Sequence, residues 1–499
     1  MKSIFITGNN LTFQDFENIC YRNQPVRLHP KAKKNVEKNL ALLESWKKEN
    51  KKIYGLNTGF GILSDKQISN TQTQELQENL IRSHSCGVGP LFSKPEVRGI
   101  LLLRAHVLAS GYSGVRPKVI ELLLHCLNKN ILPVIPQKGS VGASGDLAPL
   151  AHLALALIGE GEVFYKDHRM PSQKAFQKEK IKPLTLQGRE GLALINGTQV
   201  MTAVGLLNLF QAKKLSYLFD VAAALSLDAC FGSRKAYLPR VHQLRPHVGQ
   251  IETAKNIYQL TQNSPIQAAH KNCGRVQDAY SFRCVPQVHG SIKDTLHYVE
   301  KILKTEMNSV TDNPLFFTKE KMWVSAGHFH GQYLGHAMDY LSIAFTTLCH
   351  ISERRIEKLF DPQFSGLPTC LSPNEGLNSG LMLAHVTAAA LTSENKVLSH
   401  PASVDTIPTS GNKEDHVSMG THAALKAKEI LENTKNILAI EFLSATQGIF
   451  YRRPLKTSPV LESVIKIIRK KVPPITKDRV FSKDIEAIKL LLDEIYDAT

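Results

Sequence analysis

Apolar positions in the second half of the chain recur at helical spacing over long stretches. Between 198 and 231 they are nearly continuous and stop at Gly232. Ile292, Leu296, Val299 and Leu303 mark one face of a second helix, and Ala337, Leu341, Phe345, Leu348 and Ile351 form a stripe within 333–359. The ranges 376–398 and 415–443 carry the same period. Steps of three and four place such side chains on one helix face. Broad apolar faces of this length imply a packed bundle, and segments apolar almost all round predict burial between subunits as well as within one. Before about residue 200 the runs are shorter and broken by glycine and proline. They predict short helices among loops, with short strands at 4–7 and 52–54. The fold class is therefore mainly α, a central bundle of long helices with a loop-rich N-terminal part. The expected division is 1–200 and 201–499, within one continuous unit, without repeats or flexible linkers.

Composition narrows the class. Apolar content of 42% and charged content of 21% are those of an ordinary globular protein. No apolar run reaches bilayer length, and the first ten residues lack a signal-peptide core. The expectation is a soluble, cytoplasmic protein with no membrane partner. Eight cysteines lie singly at 20, 86, 126, 230, 273, 284, 349 and 370, the pattern of reduced thiols. The net charge of +17 permits acidic partners. The lysines of 31–52 form a solvated face around Val36, Leu40 and Leu43, and the rest are dispersed, so nucleic acid is not the expected partner. No metal is expected: His328 and His330 lack a third ligand at plausible spacing. The Gly55–Gly61 loop lacks the lysine of a phosphate-binding loop.

The chemistry centres on Gly139-Ser-Val-Gly-Ala-Ser-Gly-Asp-Leu-Ala-Pro-Leu150. Within it, Ala143-Ser144-Gly145 can in principle make its own electrophile. The Gly145 nitrogen attacks the Ala143 carbonyl, and loss of water, including the Ser144 hydroxyl, leaves a conjugated methylene. Gly145 lacks a Cβ, so its nitrogen can approach a neighbouring carbonyl. Asp146 stands at the N-cap of a helix through Leu147, Leu150, Leu153, Ala154, Leu157 and Ile158, with Pro149 in its first turn. Free N–H groups and the dipole at that end would draw electrons from the ring. The tripeptide taken alone, a common one, reads better as a glycine-rich turn before a buried helix.

The whole segment resembles the active-site signature of the histidine and aromatic amino acid ammonia-lyases, whose prosthetic group is 4-methylidene-imidazol-5-one (MIO). The resemblance runs from about Tyr54 to about Ala424. It includes Tyr54-Gly-Leu-Asn-Thr-Gly-Phe-Gly61, Ser83-His84-Ser-Cys-Gly-Val-Gly89, Ile195-Asn196-Gly197-Thr198 and Gln277-Asp-Ala-Tyr280-Ser-Phe-Arg283. Thr311-Asp-Asn-Pro314, Gly327-His-Phe329-His-Gly-Gln332 and Asn412-Lys-Glu414-Asp-His-Val-Ser-Met-Gly420 follow in the family's order. It implies an aspartase/fumarase-like ammonia-lyase architecture and a homotetramer whose active sites combine loops from more than one subunit. MIO would form autocatalytically from Ala143, Ser144 and Gly145, with no metal.

By the same resemblance, Tyr54 matches the base near the substrate β-carbon, on a loop whose glycines could let it close. A phenol has an ordinary pKa of about 10, so Tyr54 would need a favourable field. Arg283 matches the residue that grips the carboxylate, for which a planar fork is suited. Asn196 matches an amide beside the ring and the substrate's polar end, and Gln277, Tyr280 and Phe329 match positions lining the ring. His84 and Glu414 follow the histidine-specific pattern, and a carboxylate and an imidazole are apt partners for a substrate imidazole. The implied reaction is elimination of ammonia from L-histidine to trans-urocanate, a step of histidine catabolism. The alternatives are a tyrosine or phenylalanine ammonia-lyase, an aminomutase, and a non-catalytic scaffold of the same fold. Lys413 departs from the usual glutamine and could pair with Glu414 or point away. Gly331-Gln332-Tyr333 departs from the family's Ala-Glu-Pro.

Overall fold

The structure, a computed structural model, describes residues 2–270 and 274–499. It is mainly α, as the periodicity predicts. Four helices dominate: Gln199–Ala229, Val285–Glu306, Gln332–Phe360 and Gly420–Tyr451. The chain forms two compact units, each drawn from three stretches. The first takes Met1–Leu207, Glu300–Met338 and Pro401–Leu425, and the second takes Asn208–Val299, Asp339–His400 and Lys426–Thr499.

The first unit contains four small sheets among its helices. Ile4–Ile6 pairs in parallel with Val26–Leu28, and Leu315–Phe317 pairs antiparallel with Met322–Val324. Helix Phe13–Arg22 starts from a reciprocal Thr12–Asp15 capping box, which satisfies two donors at its N-terminus. Helix Lys94–Ala109 starts from the same device at Ser93 and Glu96, and nearly every residue along it is buried. Leu43 and Trp46 of helix Pro30–Lys48 pack with Ile53, Leu56 and Phe316 in a cluster beneath the chain that leads to Tyr54. The strand expected at 52–54 is absent. Asn57 Oδ1 accepts from the Ile53 amide at 3.0 Å and its Nδ2 donates to the Lys51 carbonyl at 3.1 Å. These bonds fold the segment into a turn, a local competition that asparagine often wins.

The second unit buries a charged network. Arg355 donates to both Glu441 oxygens, at 2.6 and 2.8 Å, and Ser226 and Ser352 donate to the same carboxylate. Asp220 bonds His289 at 2.8 Å and lies 3.2 Å from Lys293. Here the helix expected from 376 begins only at Met382. Asp478 accepts from the amides of Ser379 and Gly380, and Gly380 adopts the left-handed conformation, which holds the preceding residues in a turn. Of the cysteines, Cys20, Cys126, Cys230 and Cys349 are buried free thiols and Cys86 is exposed, while Cys273 lies outside the described residues. No helix among the described residues is long and apolar enough to cross a membrane, and none of their His, Cys, Asp and Glu side chains group as a metal site.

Candidate active site

Ala143, Ser144 and Gly145 sit in a tight turn that opens helix Leu147–Leu157. Gly142 and Gly145 both have left-handed φ, +76° and +73°, and a side chain on Gly145 would run into the Gly197 carbonyl. The turn is pinned from several sides. The Asp146 amide donates to Gly197 O at 2.8 Å, and the Gly197 amide reaches Ser144 O at 3.3 Å. The Met419 amide donates to Val141 O at 2.9 Å.

Asp146 occupies the N-cap position of helix Leu147–Leu157, yet its side chain makes no cap bond there. Its Oδ2 instead accepts from the amides of Val200 and Met201, at 2.9 and 3.0 Å, and so caps helix Gln199–Ala229. Its Oδ1 accepts from the Thr421 hydroxyl. Burial pushes the Asp146 carboxyl up to about 6, against the pull of these donors. The expected local cap is thus replaced by a long-range one, because the free amides at 200 and 201 are in reach.

Ser144 opens into a cavity of about 970 Å³ lined also by Tyr54, His84, Asn196, Phe329 and Glu414. Six of the residues expected to act therefore converge within the first unit. Tyr54 Oη accepts from the Gly61 amide at 3.4 Å, and its ring packs edge-on to Phe60. Burial raises the Tyr54 phenol above its ordinary range. The Gly61 amide opposes that shift, the Glu414 charge adds to it, and Arg189 opposes it. His84 Nδ1 lies 3.0 Å from Ser83 Oγ, and burial lowers its pKa, which favours the neutral ring. Glu414 Oε2 accepts from Thr409 Oγ1 at 2.6 Å. Lys413 points away from Glu414 and donates to Ser64 Oγ at 2.6 Å.

Asn196 is fixed from behind. Its Nδ2 donates to Asp312 Oδ1 at 3.2 Å and to the Asn313 carbonyl at 3.0 Å, while its own Oδ1 is buried without a partner. Arg189 grips Asp312 with two bonds, at 2.9 and 3.0 Å. Burial works to raise the Asp312 carboxyl, and Arg189 overcomes it, so Asp312 stays ionised. Arg104 donates to the Asn196 carbonyl at 2.7 Å, and its full burial lowers its pKa to about 10. Arg104 and Arg189 are not legible as site residues in the sequence. Nothing in the local pattern distinguishes them, whereas Asp312 lies in a motif segment.

Gln277, Tyr280 and Arg283 are placed elsewhere. Gln277 and Arg283 line a separate cavity of about 630 Å³ within the second unit. Arg283 Nε donates to the Asp278 carbonyl at 3.1 Å, its guanidinium lies over the Tyr280 ring, and Tyr280 is 71% exposed. Gln332 Nε2 lies 2.9 Å from His336 Nε2, and its Oε1 is buried without a partner.

Residues 11–470 match the aromatic amino acid lyase family. A histidine ammonia-lyase from Caldanaerobacter subterraneus is 48% identical over 487 residues, covering 98% of this chain and 96% of its own. The crystal structure of histidine ammonia-lyase from Trypanosoma cruzi superimposes with a TM-score of 0.92 at 40% identity, covering 100% of this chain and 95% of that one. Tyrosine aminomutase from Streptomyces globisporus superimposes with a TM-score of 0.94 at 36% identity, covering 100% and 98%.

Proposed function

We propose that this chain, which belongs to the aromatic amino acid lyase family, is a carbon–nitrogen lyase that eliminates ammonia from L-histidine to give trans-urocanate. The observation that carries the reading is the single cavity in which Ser144 meets Tyr54, His84, Asn196, Phe329 and Glu414.

The residues fit an MIO group formed from Ala143, Ser144 and Gly145. The turn is tight, two of its glycines are left-handed, Ser144 faces the cavity, and Asn196 Oδ1 is buried without a partner. When present, that group supplies an electrophile for the substrate amine, which otherwise leaves poorly. The remaining work falls to side chains. Tyr54 accepts the proton from the β-carbon. His84, held neutral, and the second oxygen of Glu414 bond the two nitrogens of the substrate imidazole. Asn196 orients the polar end. Gln277, Tyr280 and Arg283 complete the site of another copy of the chain in a homotetramer, with Arg283 on the carboxylate. We place the enzyme in the cytoplasm, where its free thiols stay reduced.

The test is to incubate purified protein with L-histidine, L-tyrosine and L-phenylalanine and follow the conjugated acrylate product by ultraviolet absorbance. L-histidine should be strongly preferred, because a site built to bond a substrate N–H rejects analogues lacking it by roughly 10⁴–10⁵-fold. Replacing His84 and Glu414 with Leu and Gln should cut kcat/KM for L-histidine more than for L-phenylalanine. Mass spectrometry of the segment holding Ser144 should show the loss of two waters, absent in Ser144→Ala. A wild type that prefers L-tyrosine or L-phenylalanine overturns the substrate assignment, and an unmodified segment in active enzyme overturns the cofactor.

A further inference from the structure

Two loops of the first unit meet at the mouth of the cavity. One carries Tyr54 and runs through the short helical turn Gly61–Leu63, and the other runs from Thr409 to Glu414. Three adjacent contacts join them. Lys413 Nζ donates to Ser64 Oγ at 2.6 Å, and the Ile62 amide donates to Ser410 Oγ at 3.2 Å. The Ile62 side chain fills the space that a side chain on Gly411 would need. The bonds Gly59 N to Lys66 O and Ile68 N to Asn57 O, each 2.9 Å, tie the Tyr54 loop only to itself. Ile62 and Leu63 are each 58% exposed, so little burial holds the tip down.

The joined turn leads directly to the reacting group, since the Gly61 amide is the donor to Tyr54 Oη. We infer that Lys413 is a positioning residue that latches the Tyr54 loop over the cavity through Ser64, and so fixes the Tyr54 hydroxyl. The inference rests on the reading of Tyr54 as proton acceptor. A lysine suits the task because its flexible stem reaches across the gap and its ammonium offers three rotatable donors. The neighbouring Glu414 faces the cavity from the same short loop, where the Thr409 hydroxyl holds it. One loop thus carries both the carboxylate proposed for substrate choice and the latch. A substrate ring that settles Glu414 also settles the closed loop.

The test uses the full-length enzyme and four variants: Lys413→Met, Ser64→Ala, their combination, and Lys413→Arg. Two quantities are read: kcat/KM for L-histidine, and the rate of chymotryptic nicking between residues 60 and 66. Each single loss should lower kcat/KM about tenfold and speed nicking, and the double variant should be no worse than the poorer single, because both remove one bond. Lys413→Arg, which keeps a donor, should stay near wild type. Additive losses in the double variant, or nicking unchanged in Lys413→Met, overturn the latch. Tyr54→Phe is assayed alongside. Normal turnover there refutes the role of Tyr54 as base, and the nicking rates still judge the contact between the loops.

Discussion

As the proposed base, Tyr54 would accept a proton in surroundings that hold its phenol above the ordinary range. Burial is the main cause and Glu414 adds to it, while the Gly61 amide and Arg189 pull the other way. The phenolate is therefore scarce at neutral pH, and its share grows as pH rises toward and past 10, the ordinary tyrosine value. Turnover of L-histidine should climb with pH across the alkaline range. Tyr54→Phe should lose about 10²–10⁴-fold in kcat with KM little changed, the usual weight of a positioned base. On the acid side, burial lowers the His84 pKa, so the neutral ring persists to below the ordinary histidine value before protonation removes its acceptor. The pH–rate profile checks both limbs: a flat alkaline limb, or a Phe variant with normal kcat, counts against Tyr54. An acid limb unmoved by His84→Leu counts against His84.

At the scale of elements, the Asp146 carboxylate joins two helices, preceding one and capping the other. Asp146→Ala would leave the amides of Val200 and Met201 and the Thr421 hydroxyl buried without this partner. Caps are worth about 0.5–2 kcal/mol, and an abandoned buried donor costs about 1–3 kcal/mol. The variant should melt several degrees lower in a thermal scan, and Asp146→Asn, which keeps an acceptor and loses a buried charge, should fall less. Equal melting of all three proteins would refute this account. A long-range cap of this kind leaves no mark in the local pattern of the sequence. The helices beginning near 147, 199 and 332 were legible, as was the 292–303 stretch of the helix that starts at Val285, because runs of apolar side chains impose a period of 3.6. The turn at Tyr54 and the late start at Met382 were not. They depend on side-chain bonds from Asn57 and Asp478 that periodicity does not register. The candidate site was legible as a set of motifs, and six of the expected residues line one cavity. Their order along the chain carried no distance, so it could not say that Gln277 and Arg283 line a different cavity. The contact between Lys413 and Ser64 was equally hidden, since each lies in a loop whose shape the other helps to set.

On the scale of the whole molecule, the second unit leaves apolar side chains in water. Along helix Met382–Leu398, Leu383 is 62% and Val397 75% exposed, with Met382 and Val386 also exposed. Clustered exposure of this kind marks a surface that associates. The protein should sediment as a tetramer, and Leu383→Glu with Val386→Glu should shift it toward smaller species; a monomeric wild type would refute the assembly. The first unit, drawn from three separate stretches of the chain, is completed late in synthesis. The turn holding Ala143, Ser144 and Gly145 is braced by Met419 and Thr421, residues that leave the ribosome long after it does. A nascent chain thus carries the three residues as ordinary peptide for most of its synthesis. The proposed MIO group would then arise only once the first unit has closed around its last segment, which would spare the unfinished chain an electrophile among its own cysteines and lysines.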